Sequence, residues 1–243
     1  MKDIYKYIDE NIDEYISDLQ ELIRKPSVSA QNLGLAECAE FVKEQMHKDG
    51  LPAELHEIPG GPPLVFGHLK SSLSKKTLFC YSHYDVQPPE PIEKWTHGGP
   101  WSGALVDNVI YGRGATDNKG GLLAFNKAAK AFLKVRGEVP LNLKFFYEGE
   151  EEIGSVHLGP WVEKNKKLLE ADGMHCLDGT VDTFAKVPEV ELGLKSVLFI
   201  ELIARGGKKD IHSLNFPLVP SPPWELVHAL STIMTRDRKI LIK

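Results

Sequence analysis

Three short apolar runs, at residues 77–81, 141–147 and 173–177, are separated by stretches whose apolar residues recur with helical spacing. This pattern constrains the fold more than any other feature. A short apolar run bounded by polar turns reads as a buried strand. Strands joined through helices are expected to lie parallel, because parallel pairing needs long crossovers and helices supply them. The expected class is therefore α/β, with a mostly parallel mixed sheet and helices on both faces.

The remaining elements fit that class. Ile4, Tyr7, Ile8, Ile12, Tyr15, Ile16, Leu19, Leu22 and Ile23 fall on one helical face, so a single helix is predicted over 4–23, ended by Pro26. A second helix is predicted over 35–47, closed by Asp49-Gly50. Two short strands, 53–58 and 64–68, flank the turn Pro59-Gly60-Gly61-Pro62-Pro63. Residues 88–108 read as loop, 109–111 as a short strand, and 122–135 and 159–169 as helices. The character changes near residue 190. A strand over 194–204, a Gly206-Gly207 turn and a helix opened by Pro222-Pro223-Trp224 read as the start of a second domain. The expected boundaries are 1–190 and 191–243. The second stretch can bury little apolar surface by itself, so the chain is expected to be part of a longer protein.

Charge and cysteine usage exclude some function classes. The formal net charge is −5 and the basic residues are not clustered, which argues against a nucleic-acid partner. No apolar run approaches a membrane span, and Met1-Lys2-Asp3-Ile4-Tyr5-Lys6 lacks the apolar core of a signal peptide. Neither a membrane partner nor export is expected. Cys38, Cys80 and Cys176 are odd in number and widely spaced, which points to a reducing, cytoplasmic setting rather than a disulfide framework. Cys80 and Cys176 lie in strand-like runs and are expected to be buried.

Chemistry gathers where the strand-like runs end. Ser82-His83-Tyr84-Asp85-Val86-Gln87-Pro88 follows the first run, and residues two apart on extended chain point the same way. His83 can thus hold a metal while Asp85 orients its ring. Asp117, Glu151 with Glu152, and Asp178 are placed at the ends of three further runs, where an open α/β sheet binds its ligands. Each also fits a plainer duty. Asp85 and Asp178-Gly179 suit turns, Asp117 or Asn118 a helix cap, and Glu150-Glu151-Glu152 a solvated charge run. Together they suit a divalent cation such as Zn²⁺, with Mn²⁺ or Co²⁺ compatible with the same ligand types. Converging carboxylates repel one another, and two cations bridged by one carboxylate would resolve that repulsion best.

Four motifs in order then carry a resemblance across nearly the whole chain. They are the His83 segment, Tyr111-Gly112-Arg113-Gly114-Ala115-Thr116-Asp117-Asn118-Lys119-Gly120, Tyr147-Glu148-Gly149-Glu150-Glu151-Glu152-Ile153-Gly154-Ser155, and Asp210-Ile211-His212-Ser213. The set resembles the dinuclear-zinc metallopeptidases that include cytosolic nonspecific dipeptidase, carnosinase, glutamate-releasing carboxypeptidases, and acetylornithine and succinyl-diaminopimelate deacylases. The Val86-Gln87-Pro88 ending is more similar to the dipeptidase and carnosinase branch.

The resemblance implies a zinc-exopeptidase-like catalytic domain followed by a lid and dimerisation domain. It implies two Zn²⁺ per complete site, a small peptide or N-acyl amino acid as substrate, and a homodimer formed through the lid. By the same resemblance His83 and Asp178 hold one metal, Asp117 bridges two, Glu152 holds the other, and Asp85 orients His83. The peptide from Asp117 to Asn118 is cis in such relatives. Glu151 corresponds to the general base, and His212 to a lid histidine that reaches a partner subunit's site and stabilises the oxyanion. Leu214 stands where many relatives carry glycine. Relatives complete the second metal's shell with a histidine far down the chain. No residue after His228 here can supply it, and His228 lies in the predicted lid helix. The 243 residues alone are therefore expected to bind one metal tightly and to be nearly inactive.

Overall fold

The computed structural model describes residues 1–178, 193, 199–209 and 212–242. They fall into two compact units, Met1–Val190 and Glu191–Lys243. The first opens with α1 (Lys2–Glu10) and α2 (Ile12–Ile23), where the apolar spacing had predicted one helix. Asn11 makes the break. Its backbone N–H donates to the Ile8 carbonyl at 3.1 Å and its side-chain amide donates to the Tyr7 carbonyl at 2.7 Å. An asparagine that bonds the preceding turn competes with helix continuation. The predicted 159–169 helix divides in the same way into α5 (Leu158–Lys164) and α6 (Lys166–Leu169), with Asn165 donating its side-chain amide to the Trp161 carbonyl at 2.8 Å.

The remaining helices of this unit are α3 (Leu35–Lys48) and α4 (Lys119–Arg136), the latter starting three residues before its predicted range and ending at Gly137 with φ +75°. Glycine suits that left-handed closing position because it lacks a Cβ. The main sheet has five strands: β1 (Glu54–His56), β2 (Leu64–Leu69), β3 (Thr77–His83), β6 (Asn142–Glu148) and β7 (Gly173–Cys176), in the order β1-β2-β6-β3-β7. The pairings of β1 with β2 and β2 with β6 are antiparallel, while β6 with β3 and β3 with β7 are parallel. Four strands thus share one direction and β2 opposes them, which is the mostly parallel mixed sheet expected. A separate hairpin joins β4 (Ala104–Val106) to β5 (Val109–Tyr111). Its turn residues Asp107 and Asn108 have φ of 49° and 62°, the signature of the primed turn that matches strand twist. β4 lies in the stretch that reads as loop in the sequence.

Side chains alternate across the sheet. On one face Val65, Cys80, Phe145 and Tyr147 pack against Leu22, Cys38, Val42, Met46, Leu122 and Ala129 from α2, α3 and α4. On the other, Phe66, Phe79 and Phe146 pack against Trp161 of α5. Helices cover both faces, and each buried large apolar side chain contributes about 1.5–3 kcal/mol. β7 departs from this plan. All four of its residues are exposed, so Cys176 is an exposed thiol rather than the buried one expected, whereas Cys80 is buried. At this edge the described residues give little cover; His175 meets the Phe125 ring of α4 edge-on, at 5.5 Å between ring centroids.

In the second unit, a 3-10 segment (Ser213–Leu218) precedes α7 (Pro222–Ile233), which begins with proline at its first positions. Of the strand predicted over 194–204, residues 194–198 lie outside the described residues, and 199–204 have no regular structure.

Candidate metal centre

His83 is the last residue of β3 and is fully buried. Its Nδ1 lies 3.0 Å from the Asp85 backbone carbonyl oxygen and 3.3 Å from the Asp85 carboxylate. With Nδ1 donating there, Nε2 is the nitrogen turned toward the cluster: a donor while the ring is protonated, and the free lone pair for a cation once that proton is displaced. Nε2 is buried and has no hydrogen-bond partner. Three carboxylates face it: Asp117 at 3.2 Å, Asp178 at 3.7 Å and Glu151 at 3.9 Å. One ligand atom each from His83, Asp117 and Asp178 fall within 4.8 Å of one another. Glu152 does not join that group of three among the described residues.

Different elements deliver these groups. Tyr84 N–H donates to the Glu148 carbonyl at 2.9 Å, so β3 and β6 stay paired up to the site. Glu151 and Glu152 begin a 3-10 turn just beyond β6, and Asp178 follows β7. Asp117 departs from the sequence expectation. It stands in the loop between the β4–β5 hairpin and α4, not at the end of a main-sheet strand. The peptide from Asp117 to Asn118 is cis. The loop is closely packed: a Cβ on Gly121 would overlap the Asn118 side chain and the Leu177 carbonyl, beside Asp178. Lys119 is fully buried, and its ammonium donates to the carbonyls of Leu22 at 3.2 Å and Lys25 at 2.5 Å, at the C-terminal end of α2. That end carries partial negative charge, so the lysine ties the Asp117 loop to α2.

The electrostatics suit a cation. Among the described residues no lysine or arginine pairs with Asp117, Glu151, Glu152 or Asp178; their one basic-type neighbour is His83. Burial disfavours the His83 imidazolium, but Asp178 and Asp85 outweigh it and push the group up to about 11. A site that holds a proton this firmly attracts positive charge. Burial raises both Glu151 and Glu152 above the usual glutamate range, with His83 opposing. An unpartnered imidazole nitrogen facing several carboxylates, without sulfur, fits a hard or borderline divalent ion.

Sequence reasoning did not find several supporting residues. Gln87 donates its side-chain amide to the Glu152 carboxylate at 2.7 Å and to the Glu152 carbonyl at 3.1 Å. The buried Glu148 accepts from Tyr81 Oη at 2.6 Å and Ser155 Oγ at 2.8 Å. Glu150, read in the sequence as part of a solvated run, is buried and accepts from the His157 ring at 2.8 Å. Their signal was membership of the quoted motifs, Gln87 in the Val86-Gln87-Pro88 ending and Glu148, Glu150 and Ser155 in the Tyr147–Ser155 segment, whereas Tyr81 and His157 had none. His212 belongs to the second unit, where it is exposed and its Nδ1 accepts the Leu214 N–H at 3.2 Å. Asp210 and Ile211 lie outside the described residues.

With this geometry in place, the model of peptidase family M20/M25/M40 matches residues 79–235. The chain belongs to that family. This M20/M25/M40 chain is 33% identical over 256 residues to the Cys-Gly metallodipeptidase dug1 of Schizosaccharomyces pombe, covering 98% of this chain and 53% of the relative. It is 29% identical over 265 residues to the human Beta-Ala-His dipeptidase, covering 100% of this chain and 51% of the relative. Among solved structures, the M20 family metallo-carboxypeptidase Sso-CP2 from Sulfolobus solfataricus is similar at a TM-score of 0.81 and 37% identity, covering 95% of this chain and 52% of that one. Human carnosine dipeptidase 1 is similar at a TM-score of 0.73 and 28% identity, covering 99% and 54%. The chain spans about half the length of the relatives it matches. No helix among its described residues is long and apolar enough to cross a membrane.

Proposed function

We propose that the intact protein is a metal-dependent peptidase that cleaves dipeptides or C-terminal peptide bonds. The observation that carries this reading is the buried, unpartnered Nε2 of His83 facing Asp117, Asp178 and Glu151 at 3.2–3.9 Å. His83 and Asp178 would hold one ion, Asp117 would bridge to a second, and Glu152 would hold that second ion. Bound divalent ions would supply Lewis-acid charge to the scissile carbonyl and lower the pKa of a water toward neutrality. Zn²⁺ suits these ligands best, and Mn²⁺ or Co²⁺ would also fit.

Glu151 is assigned the base. Its carboxylate is near the cluster but outside the group of three ligands, and burial raises its pKa, which strengthens it as a proton acceptor. It would take a proton from the attacking water and return it to the leaving amine. Asp85 holds the surrounding groups in place. We read the first unit as the N-terminal part of the catalytic domain and the second as the start of a lid through which two copies pair. His212 would then donate to the oxyanion of a partner's site. The dipeptidase names of the relatives support a dipeptide substrate. Free thiols at Cys38, Cys80 and Cys176 support a cytoplasmic setting.

In the intact protein, Glu151→Ala is expected to abolish dipeptide turnover and leave bound metal nearly unchanged. Loss of metal and turnover together would make Glu151 a ligand instead. Turnover of N-acetyl or N-succinyl amino acids in preference to free dipeptides would move the protein to the deacylases of the same family.

A further inference from the structure

Asp85 has more to do than orient His83. Two acceptors compete for His83 Nδ1–H, and the nearer is the Asp85 backbone carbonyl, 3.0 Å against 3.3 Å for the carboxylate. A side-chain substitution cannot remove that carbonyl. The carboxylate makes two further contacts, both slightly shorter. Its Oδ1 accepts the Glu151 N–H at 3.2 Å and its Oδ2 accepts the Glu152 N–H at 3.1 Å. These are the first two amides of the 3-10 turn Glu151–Ile153, groups that a helical turn cannot satisfy by itself. A buried carboxylate that accepts two such amides is a charge-assisted cap.

The segment bearing Asp85 is itself held from behind. Val86 N–H donates to the Ser27 carbonyl at 2.9 Å, and Ser27 Oγ donates to the Tyr84 carbonyl at 2.6 Å. Two residues further on, Gln87 grips the same turn through the Glu152 carbonyl and carboxylate. The end of β3 therefore holds the Glu151–Ile153 turn through two side chains and four hydrogen bonds.

We propose that Asp85 and Gln87 are positioning residues for Glu151 and Glu152, and that the His83 tautomer is set by the Asp85 backbone carbonyl rather than by its carboxylate. The purpose of this clamp rests on the hydrolase reading above, but its existence does not. Removing the carboxylate would free the turn that presents base and ligand and leave the His83 ring in place.

The test uses the 243-residue chain, ¹⁵N-labelled, with Zn²⁺ as the probe. In the unsubstituted metal-free chain, the Glu151 and Glu152 amides should exchange slowly with solvent and resonate downfield. This measurement needs no variant. In Asp85→Ala, both amides should exchange about tenfold faster or more, while amides of β6 keep their protection and report an intact fold. Zn²⁺ affinity, measured by competition with a chromophoric chelator, should fall less than the roughly tenfold expected for loss of a ring-orienting partner. Asp85→Asn keeps one acceptor oxygen and should leave one of the two amides protected. Gln87 is exposed, so Gln87→Ala should fold normally and move the Glu152 resonances without shifting those of the His83 ring. Fast exchange of both amides in the unsubstituted chain would overturn the proposal. So would unchanged amides in Asp85→Ala together with a tenfold or greater loss of Zn²⁺ affinity, an outcome that leaves the hydrolase reading standing. Failure to bind Zn²⁺ at all, with the amides behaving as expected, would overturn the assignment of His83, Asp117 and Asp178 as a metal site and keep the clamp.

Discussion

Two acidic clusters in the first unit are made of similar residues and are neutralised in different ways. Where α2, the end of α3 and α4 meet, Asp18 and Asp49 are buried with Glu14 nearby. Lys127 donates to Asp49 at 2.6 Å and also to Asp18, and Lys130 pairs with Glu14 at 2.6 Å and Asp49 at 3.0 Å. That cluster carries its own cations. At the other, Asp117, Asp178 and Glu151 surround an imidazole nitrogen that makes no hydrogen bond, and no lysine or arginine among the described residues pairs with them. The first cluster's aspartates are buried and need a cation from the chain itself, whereas Asp117 and Asp178 are exposed around a buried imidazole, where solvent or an ion from outside can reach them.

The largest effect should come from the closed cluster. Lys127→Met leaves buried Asp49 with Lys130 and buried Asp18 with only the exposed Lys48, and breaking such a buried pair costs about 3–5 kcal/mol. Urea denaturation measures this, and a loss under about 1 kcal/mol would mean that the cluster is better hydrated than its burial indicates. At the open cluster the same kind of change should act in reverse. Asp117→Asn removes a like charge, so the metal-free chain should melt no lower than the parent, while Zn²⁺ affinity falls by about 100-fold, near 2.7 kcal/mol. Calorimetry without metal and chelator competition with it separate the two effects. A lower melting point without metal would assign Asp117 a structural duty.

A pH titration should expose the closed cluster next. Burial works against ionised Asp18, but Lys127 and Lys48 outweigh it and lower its pKa; for Glu14 the hydrogen bond from Lys130 is the main cause of lowering. Acids depressed in the folded state contribute stability that is present above their unfolded pKa and lost as pH falls through the folded one. The urea midpoint should therefore drop as pH falls below about 4, and drop less steeply in Lys127→Met. The smallest effect belongs to the rim. Lys48 pairs with Asp18 at 2.9 Å, but its side chain is 57% exposed, so Lys48→Met should cost about 0.5 kcal/mol in the same assay.

What the sequence makes legible follows from how local the determinants are. β3, β6 and β7 are plain because each is a short, largely apolar strand-like run bounded by polar turns. His83, Asp117 and Glu151 stand out because their motifs are contiguous, and Asp178 because it ends a strand-like run, although Asp117 approaches from outside the main sheet. The breaks at Asn11 and Asn165 are hidden, since a single asparagine scarcely alters an apolar periodicity. The closed cluster is hidden more deeply. Asp18, Asp49, Lys127 and Lys130 are far apart in the chain and look like ordinary solvent-facing charges on amphipathic helices. Only the packing of α2 and α3 on α4 turns them inward. The grip of Asp85 on the Glu151 and Glu152 amides is equally silent, because it uses backbone donors that every residue possesses.

Between His83 and Asp85, Tyr84 points away from the site and is held at every polar atom. Its N–H donates to Glu148, its carbonyl accepts from Ser27, and its hydroxyl donates to the Pro63 carbonyl at 2.6 Å. Its ring lies on Gly149, where even a methyl group would collide with it. For anyone remodelling the cleft, this sets out where change is free and where it is forbidden. Exposed Gln87 can be exchanged with only its own grip at stake. Position 149 cannot be enlarged without displacing Tyr84, and Tyr84 cannot move without carrying the residues on either side of it out of place.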